Sequence, residues 1–205
     1  EIGYGKAVHH LLRAIAEETQ RTNRALNPSD IDRILATDFF LPFAGKAVAT
    51  RFRESAKNLI NNYMDNFGAD MQRVWATERP FELALDGVVV SGRADVILDQ
   101  HGGSYNSLAI IDYKTAIDDR ELGLQLQVYT EAGIREGLSV DGAFLHDLDA
   151  QKRLTVDTSP SARQSAISVI VNAAQGIKNR NFDANPEKSR CSRCDVRAFC
   201  PKVAR

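Results

Sequence analysis

The chain is predicted to be an α/β protein with a helical N-terminal part and a cysteine-bearing tail. Three observations carry this. Residues 4–24 repeat apolar side chains at helical spacing, residues 71–98 read as two strands around Asp86-Gly87, and helix and strand patterns then alternate to about residue 178. With 205 residues, 43% of them apolar and 26% charged, the chain is long enough for one domain with a substantial core.

Each element has its own signal. Val8, Leu11, Leu12, Ile15 and Ala16 mark the inward face of the first helix. Asn27-Pro28-Ser29-Asp30 ends it and starts a short helix over 29–37. Residues 43–67 read as a long helix with Val48, Phe52, Leu59, Tyr63 and Phe67 inward. A strand follows from Met71 to Leu85. Asp86-Gly87 is a hairpin turn, and Val88 to Leu98 is the return strand. After a loop over His101–Asn106, Leu108–Lys114 is an apolar strand interrupted by Asp112. Leu122–Glu136 is helical, and Val140–Leu145 and Arg153–Val156 are strands. Ser159-Pro160-Ser161 starts a helix to about Lys178, and the tail beyond Asn181 is loop-like.

Charge and composition exclude some classes. The net charge is −1, so the whole chain is not a basic nucleic-acid binder. Residues 178–205 hold eight basic and three acidic residues, a local +5 that leaves −6 elsewhere, and this reads first as a solvated terminal face. No apolar run reaches the length of a membrane span, and no Gly-x4-Gly-Lys-Ser/Thr loop marks a nucleotide-driven motor. The first residues, Glu1-Ile2-Gly3-Tyr4-Gly5, lack an initiator Met and a signal-peptide pattern, which reads as the start of a cut-out domain or of a processed chain.

All three cysteines fall in the tail, as Cys191-x-x-Cys194-x5-Cys200-Pro201. In a chain without secretion signals this suits a reducing, intracellular compartment and metal ligation rather than disulfides. Zinc is one reading and an iron–sulfur cluster another, with three free thiols as the bland one. The histidines are His9, His10, His101 and His146, none near the tail.

Charged residues interrupt two buried-looking strands. In Ile110-Ile111-Asp112-Tyr113-Lys114, alternation points Asp112 and Lys114 the same way. A surface ion pair is the plain alternative, but the apolar run before Asp112 argues against it. In Ser91-Gly92-Arg93-Ala94-Asp95-Val96-Ile97, Asp95 is a second such carboxylate. If the two strands pair, both aspartates can serve one divalent cation, because Mg2+ and Mn2+ take oxygen ligands and keep open positions. His9 on the first helix, and Gln125 and Tyr129 on one face of a later helix, are unremarkable singly.

Taken in order, Gly5-x-x-x-His9, Glu78-x-Pro80-Phe81, Gly92-Arg93-Ala94-Asp95, Asp112-Tyr113-Lys114 and Gln125-x-x-x-Tyr129 closely resemble the PD-(D/E)XK nuclease superfamily, in its RecB-type form. The closing cysteines resemble its iron–sulfur branch, which includes AddB-type and UvrD-like helicase–nucleases and the CRISPR-associated exonucleases. The resemblance spans nearly the whole chain. It implies a restriction-endonuclease-like core, a mixed central sheet flanked by helices. It divides the chain into a nuclease domain over 1–180 (helical to about 70, catalytic core over 71–180) and a cluster-binding tail over 181–205.

It further implies Mg2+- or Mn2+-dependent cleavage of DNA, most simply as an exonuclease. Asp95, Asp112, the main-chain carbonyl of Tyr113 and His9 would hold the metal, and Glu78 stands where some relatives carry another acidic residue. Lys114 would position or activate the attacking water and stabilise developing charge, and Gln125 and Tyr129 would orient the site or touch the DNA backbone. Cys191, Cys194 and Cys200 would bind a 4Fe–4S cluster whose fourth cysteine falls before Glu1. The implied partners are DNA and a helicase motor, in recombination or repair. A free-standing CRISPR-associated exonuclease is an alternative, as is a DNA-binding module without catalysis.

Overall fold

The computed structural model describes residues 2–103, 105–115 and 123–204. The expected helix start at Leu122 lies outside these. The chain forms two compact units, Glu1–Ile167 and Ser168–Arg205.

The first unit opens with three helices, α1 (Ile2–Thr22), α2 (Pro28–Asp38) and α3 (Lys46–Phe67). α2 starts where the sequence places it. The Asn27 side chain accepts from the Asp30 N–H at 3.0 Å, the Asp30 carboxylate accepts from the Asn27 N–H at 3.1 Å, and Pro28 occupies the first turn. The predicted face of α1 is buried, and Ala7 and Thr19 extend it. α3 departs from expectation at its start. Its buried stripe is Ala56, Leu59, Ile60 and Tyr63, whereas Val48 is 50% exposed. Val48 stands two turns before that stripe, ahead of the part of α3 that meets the core.

A 3-10 turn (Gly68–Arg73) occupies the stretch read as the start of a strand, and β1 (Val74–Leu85) follows. β2 (Val88–Asp99) returns from the hairpin at Asp86-Gly87. There both turn residues take positive φ, 39° and 77°, as a tight two-residue turn requires. Then come β3 (Leu108–Lys114), α4 (Leu124–Arg135), β4 (Val140–Asp147), β5 (Lys152–Thr155) and α5 (Pro160–Lys178). The sheet order is β1-β2-β3-β4-β5, all neighbours antiparallel except β3 and β4, which run parallel with α4 as the crossover.

β3 is buried from Leu108 to Tyr113, the pattern of a central strand covered on both faces. On one face, Ile111 and Tyr113 join Val74, Val96 and Leu98 in a single core with α1, α2 and α3. α4 packs against the sheet through Tyr129 and Gly133, which lie against Phe81.

The second unit carries the tail. It is not wholly loop: Cys191 sits in a short helix, α6 (Lys188–Ser192), and a 3-10 turn spans Arg197–Phe199.

Candidate active site

The site forms where the β2–β3 ladder stops. The last paired residues are Val96 and Ile111, so Asp95 and Asp112 are next in line on the two strands. Instead of continuing the ladder, Asp95 turns a carboxylate oxygen, Oδ2, onto the Tyr113 N–H at 2.8 Å. The side chain thus takes up a strand-end donor that would otherwise be unpaired. On the other side of β2 the ladder also fails, since Glu78 and Asp95 are skipped in the β1–β2 register. Glu78 lies at φ 48°, a left-handed backbone unusual for a non-glycine residue in a strand. These two local breaks open the sheet around Asp95.

His9 closes this opening from α1, with Nδ1 3.4 Å from Asp95 Oδ1. Gly5, one turn earlier, lies beside the end of β3: a Cβ there would stand 3.5 Å from Thr115 Oγ1, an ordinary contact. Asp112 is 4% exposed, and Lys114 Nζ lies 2.7 Å from its Oδ2. That contact pairs the buried Oδ2 with an ammonium. By strand alternation Asp112 and Lys114 share one face while Tyr113 enters the core between them.

Burial and the neighbouring carboxylate charges together set the electrostatics. Burial pushes the Asp112 carboxyl up, the neighbouring Asp95 charge pushes it further, and Lys114 and His9 only partly offset this. Burial alone would lower the His9 imidazole. The hydrogen bond and charge of Asp95, with the charge of Asp112, outweigh it and leave His9 raised. A pocket with two carboxylates, one of them buried beside Lys114, suits a hard cation. Among the described residues, however, no three His, Cys, Asp or Glu side chains are gathered as a ready-made metal shell.

Of the site residues, His9 and Lys114 line an open cleft of about 440 Å³, together with Lys6, His10, Arg13 and Glu78, while Asp95 lines a narrower gap with His9, Glu78 and Tyr113. Sequence reasoning singles out neither Lys6 nor Arg13, and gives His10 no role. Their spacing from His9 on one helix is the available signal. Glu78 is also 3.5 Å from Arg93.

Gln125 and Tyr129 do not line this cleft. Tyr129 is buried, and its hydroxyl accepts from the Arg93 N–H at 3.0 Å and from Gln125 Nε2 at 3.0 Å. Its ring lies so close to β2 that a Cβ on Gly92 would be 2.4 Å from it. The pair therefore braces the strand that carries Asp95.

In the tail, none of the three cysteines is in a disulfide; Cys194 is exposed, and Cys191 Sγ accepts from the Ala204 N–H at 3.4 Å.

A mixed five-stranded sheet flanked by helices, with paired aspartates and a lysine at the end of its central strands, is the architecture of a restriction-endonuclease-like nuclease fold. The family model for the PD-(D/E)XK nuclease superfamily matches residues 1–201, and the chain belongs to that superfamily. The chain is 29% identical over 147 residues to the Gene 69 protein of Mycobacterium phage D29, covering 65% of this chain and 53% of that protein. It thus spans about half the length of this curated relative. Among solved structures, it is similar to SSO0001, at 17% identity and TM-score 0.42, covering 97% of this chain and 86% of that one. It is also similar to a protein described as a candidate exonuclease from Eubacterium rectale. There the identity is 14% and the TM-score 0.48, over 86% of this chain and 70% of that one.

Proposed function

We propose that this chain is a Mg2+- or Mn2+-dependent nuclease that hydrolyses phosphodiester bonds of DNA. One observation carries the reading: Asp95, Asp112, Lys114 and His9 come from three elements to one break in the sheet, beside an open cleft. Asp95, Asp112, His9 and the main-chain carbonyl of Tyr113 would hold the cation. When bound, the cation supplies a nucleophile at neutral pH and a counter-charge for the phosphate oxygens.

The chain's own residues do the rest. Lys114, held by Asp112, keeps an ammonium beside the reacting phosphate and orients water against it. Tyr113 fixes Asp95 through its N–H. Gln125 and Tyr129 hold β2 in register from behind. Arg13 and Lys6 offer positive charge along the cleft.

The test is cleavage of end-labelled single-stranded and duplex DNA with Mg2+, with Mn2+ and with chelator. Asp112→Asn and Lys114→Met should each reduce cleavage by about 10²-fold or more. Full activity in either variant overturns the site. Salt-dependent DNA binding without metal-stimulated cleavage identifies a binding module instead.

The tail supports placing the chain in the iron–sulfur branch, within a helicase–nuclease of recombination or repair, with Cys191, Cys194 and Cys200 as cluster ligands. Anaerobic preparation of the natural full-length protein should yield iron and inorganic sulfide that Cys194→Ser removes. Protein free of iron when made this way rejects that placement.

A further inference from the structure

The loop between α2 and α3 presents aromatic surface that the core does not use. Phe40 is 72% exposed and Phe43 is 106% exposed, with Phe43 held at φ 68°, a backbone region costly for a bulky side chain. Phe39, by contrast, is buried, and Arg53 lies over its ring at 5.8 Å. A short segment that buries one phenylalanine and displays two, one of them on strained backbone, is not explained by packing.

Two further observations say what the displayed rings meet. The first is position. A Cβ on Gly3 would stand 3.7 Å from Leu41 of this loop, and His10 is 3.9 Å from Asp38 at its start. The loop therefore lies against the turns of α1 that lead to His9. From Gly3 to His9 is about 9 Å along a helix axis. The second is charge. Lys46 and Arg51 follow directly on α3, Lys6 faces the cleft, and all three are exposed. Among the described residues, none of the three is in an ion pair. Exposed aromatic rings interleaved with uncommitted cations are the chemistry that binds a single nucleic-acid strand, rings stacking on bases and cations following phosphates. A duplex offers no free base faces to such rings.

We propose that Phe40 and Phe43 form a base-stacking platform for single-stranded DNA whose backbone passes into the cleft at His9. The platform rests on the nuclease reading for its substrate and gives it a preference for unpaired strands. The basic residues hold either form of DNA, and the two rings discriminate between them.

Binding is measured by fluorescence anisotropy of labelled oligo-dT and of a labelled duplex, in chelator so that no cleavage occurs. The Phe40→Ala/Phe43→Ala chain should bind oligo-dT about tenfold or more weakly. Its duplex affinity should be unchanged, as should its salt dependence, since stacking releases no counterions. Both side chains are exposed, so its thermal melt should match the parent. In a Phe43→Trp chain, oligo-dT should retain affinity and quench the indole emission gained over the parent. Parent-like oligo-dT binding by the double alanine chain overturns the platform, as does loss of single-strand and duplex binding in parallel. Unquenched indole emission from the Phe43→Trp chain does so too. Concentration-dependent self-association abolished by the double substitution assigns the rings to a second copy and also overturns it. The two readings fail separately. Cleavage that survives Asp112→Asn removes the assigned site and leaves the platform standing. Normal oligo-dT binding by the double alanine chain, with cleavage still dependent on Asp112, removes only the platform.

Discussion

Gly92 shows how far a single side chain, or its absence, governs the site. It lies three residues before Asp95 on β2, and its missing Cβ is the space that the Tyr129 ring fills. The ring has no easy retreat. It is buried against Phe81 at 5.7 Å between centroids, and its hydroxyl is held by Arg93 and Gln125. Gly92→Ala must therefore break those hydrogen bonds or displace β2. The expected cost is about 1–3 kcal/mol in urea unfolding, with a loss of cleavage larger than the loss of stability explains. Gly92→Ala combined with Tyr129→Ala should cost less than the sum of the two, because the second change removes the clash created by the first. Additive costs would show that the contact is not felt.

At the scale of elements, the site depends on how β3 is anchored to α3. Tyr113 leaves β3 between Asp112 and Lys114, and its hydroxyl meets that of Tyr63 on α3 at 2.9 Å, deep in the core. Burial holds both phenols in the neutral form, Tyr63 pushed up to about 12. Tyr63→Phe leaves the Tyr113 hydroxyl buried without this partner and should destabilise the chain by about 1–3 kcal/mol. The Tyr63→Phe/Tyr113→Phe chain should recover part of that loss, since no hydroxyl is then stranded. A double variant less stable than the single one contradicts the pairing. The same scale explains what the sequence could show. Alternation across Asp112-Tyr113-Lys114 placed the two charged groups on one face without coordinates. The partner of Tyr113 stands 50 residues away, and no local pattern names it.

Across the first unit, a buried polar cluster ties the elements together behind the site. Asp70 accepts from Arg73 and Arg153, and Arg153 lies over the Phe67 ring at 4.7 Å. Arg153 also donates toward Nδ1 of the fully buried His146 at 3.3 Å. His146 is therefore a neutral acceptor at Nδ1. Burial, and then the Arg153 charge, press its pKa from 6.5 down to about 4. An imidazole that stays neutral in the fold takes up a proton only on unfolding between these values. The stability that His146 contributes by staying neutral is thus fully present above about pH 6.5 and is lost as pH drops toward 4, by up to about 3 kcal/mol. Unfolding of His146→Gln should show a shallower pH slope over that window; an equal slope assigns the acid sensitivity elsewhere.

The sequence by itself determined the alternation of helices and strands, the hairpin at Asp86-Gly87, the cap at Asn27 and the residue types of a two-carboxylate site. These depend on neighbours a few positions apart, where backbone geometry and side-chain periodicity act directly. Only the tertiary structure decided that the β2–β3 ladder would stop at Val96 and Ile111, so that Asp95 could turn onto Tyr113 and meet His9. It also decided that Tyr129 would pack on Gly92 and bond the Arg93 N–H, that Val48 would stay exposed, and that Cys191 would sit in a short helix. Those outcomes depend on which surfaces compete for burial once distant segments meet, and that competition leaves no periodic trace along the chain.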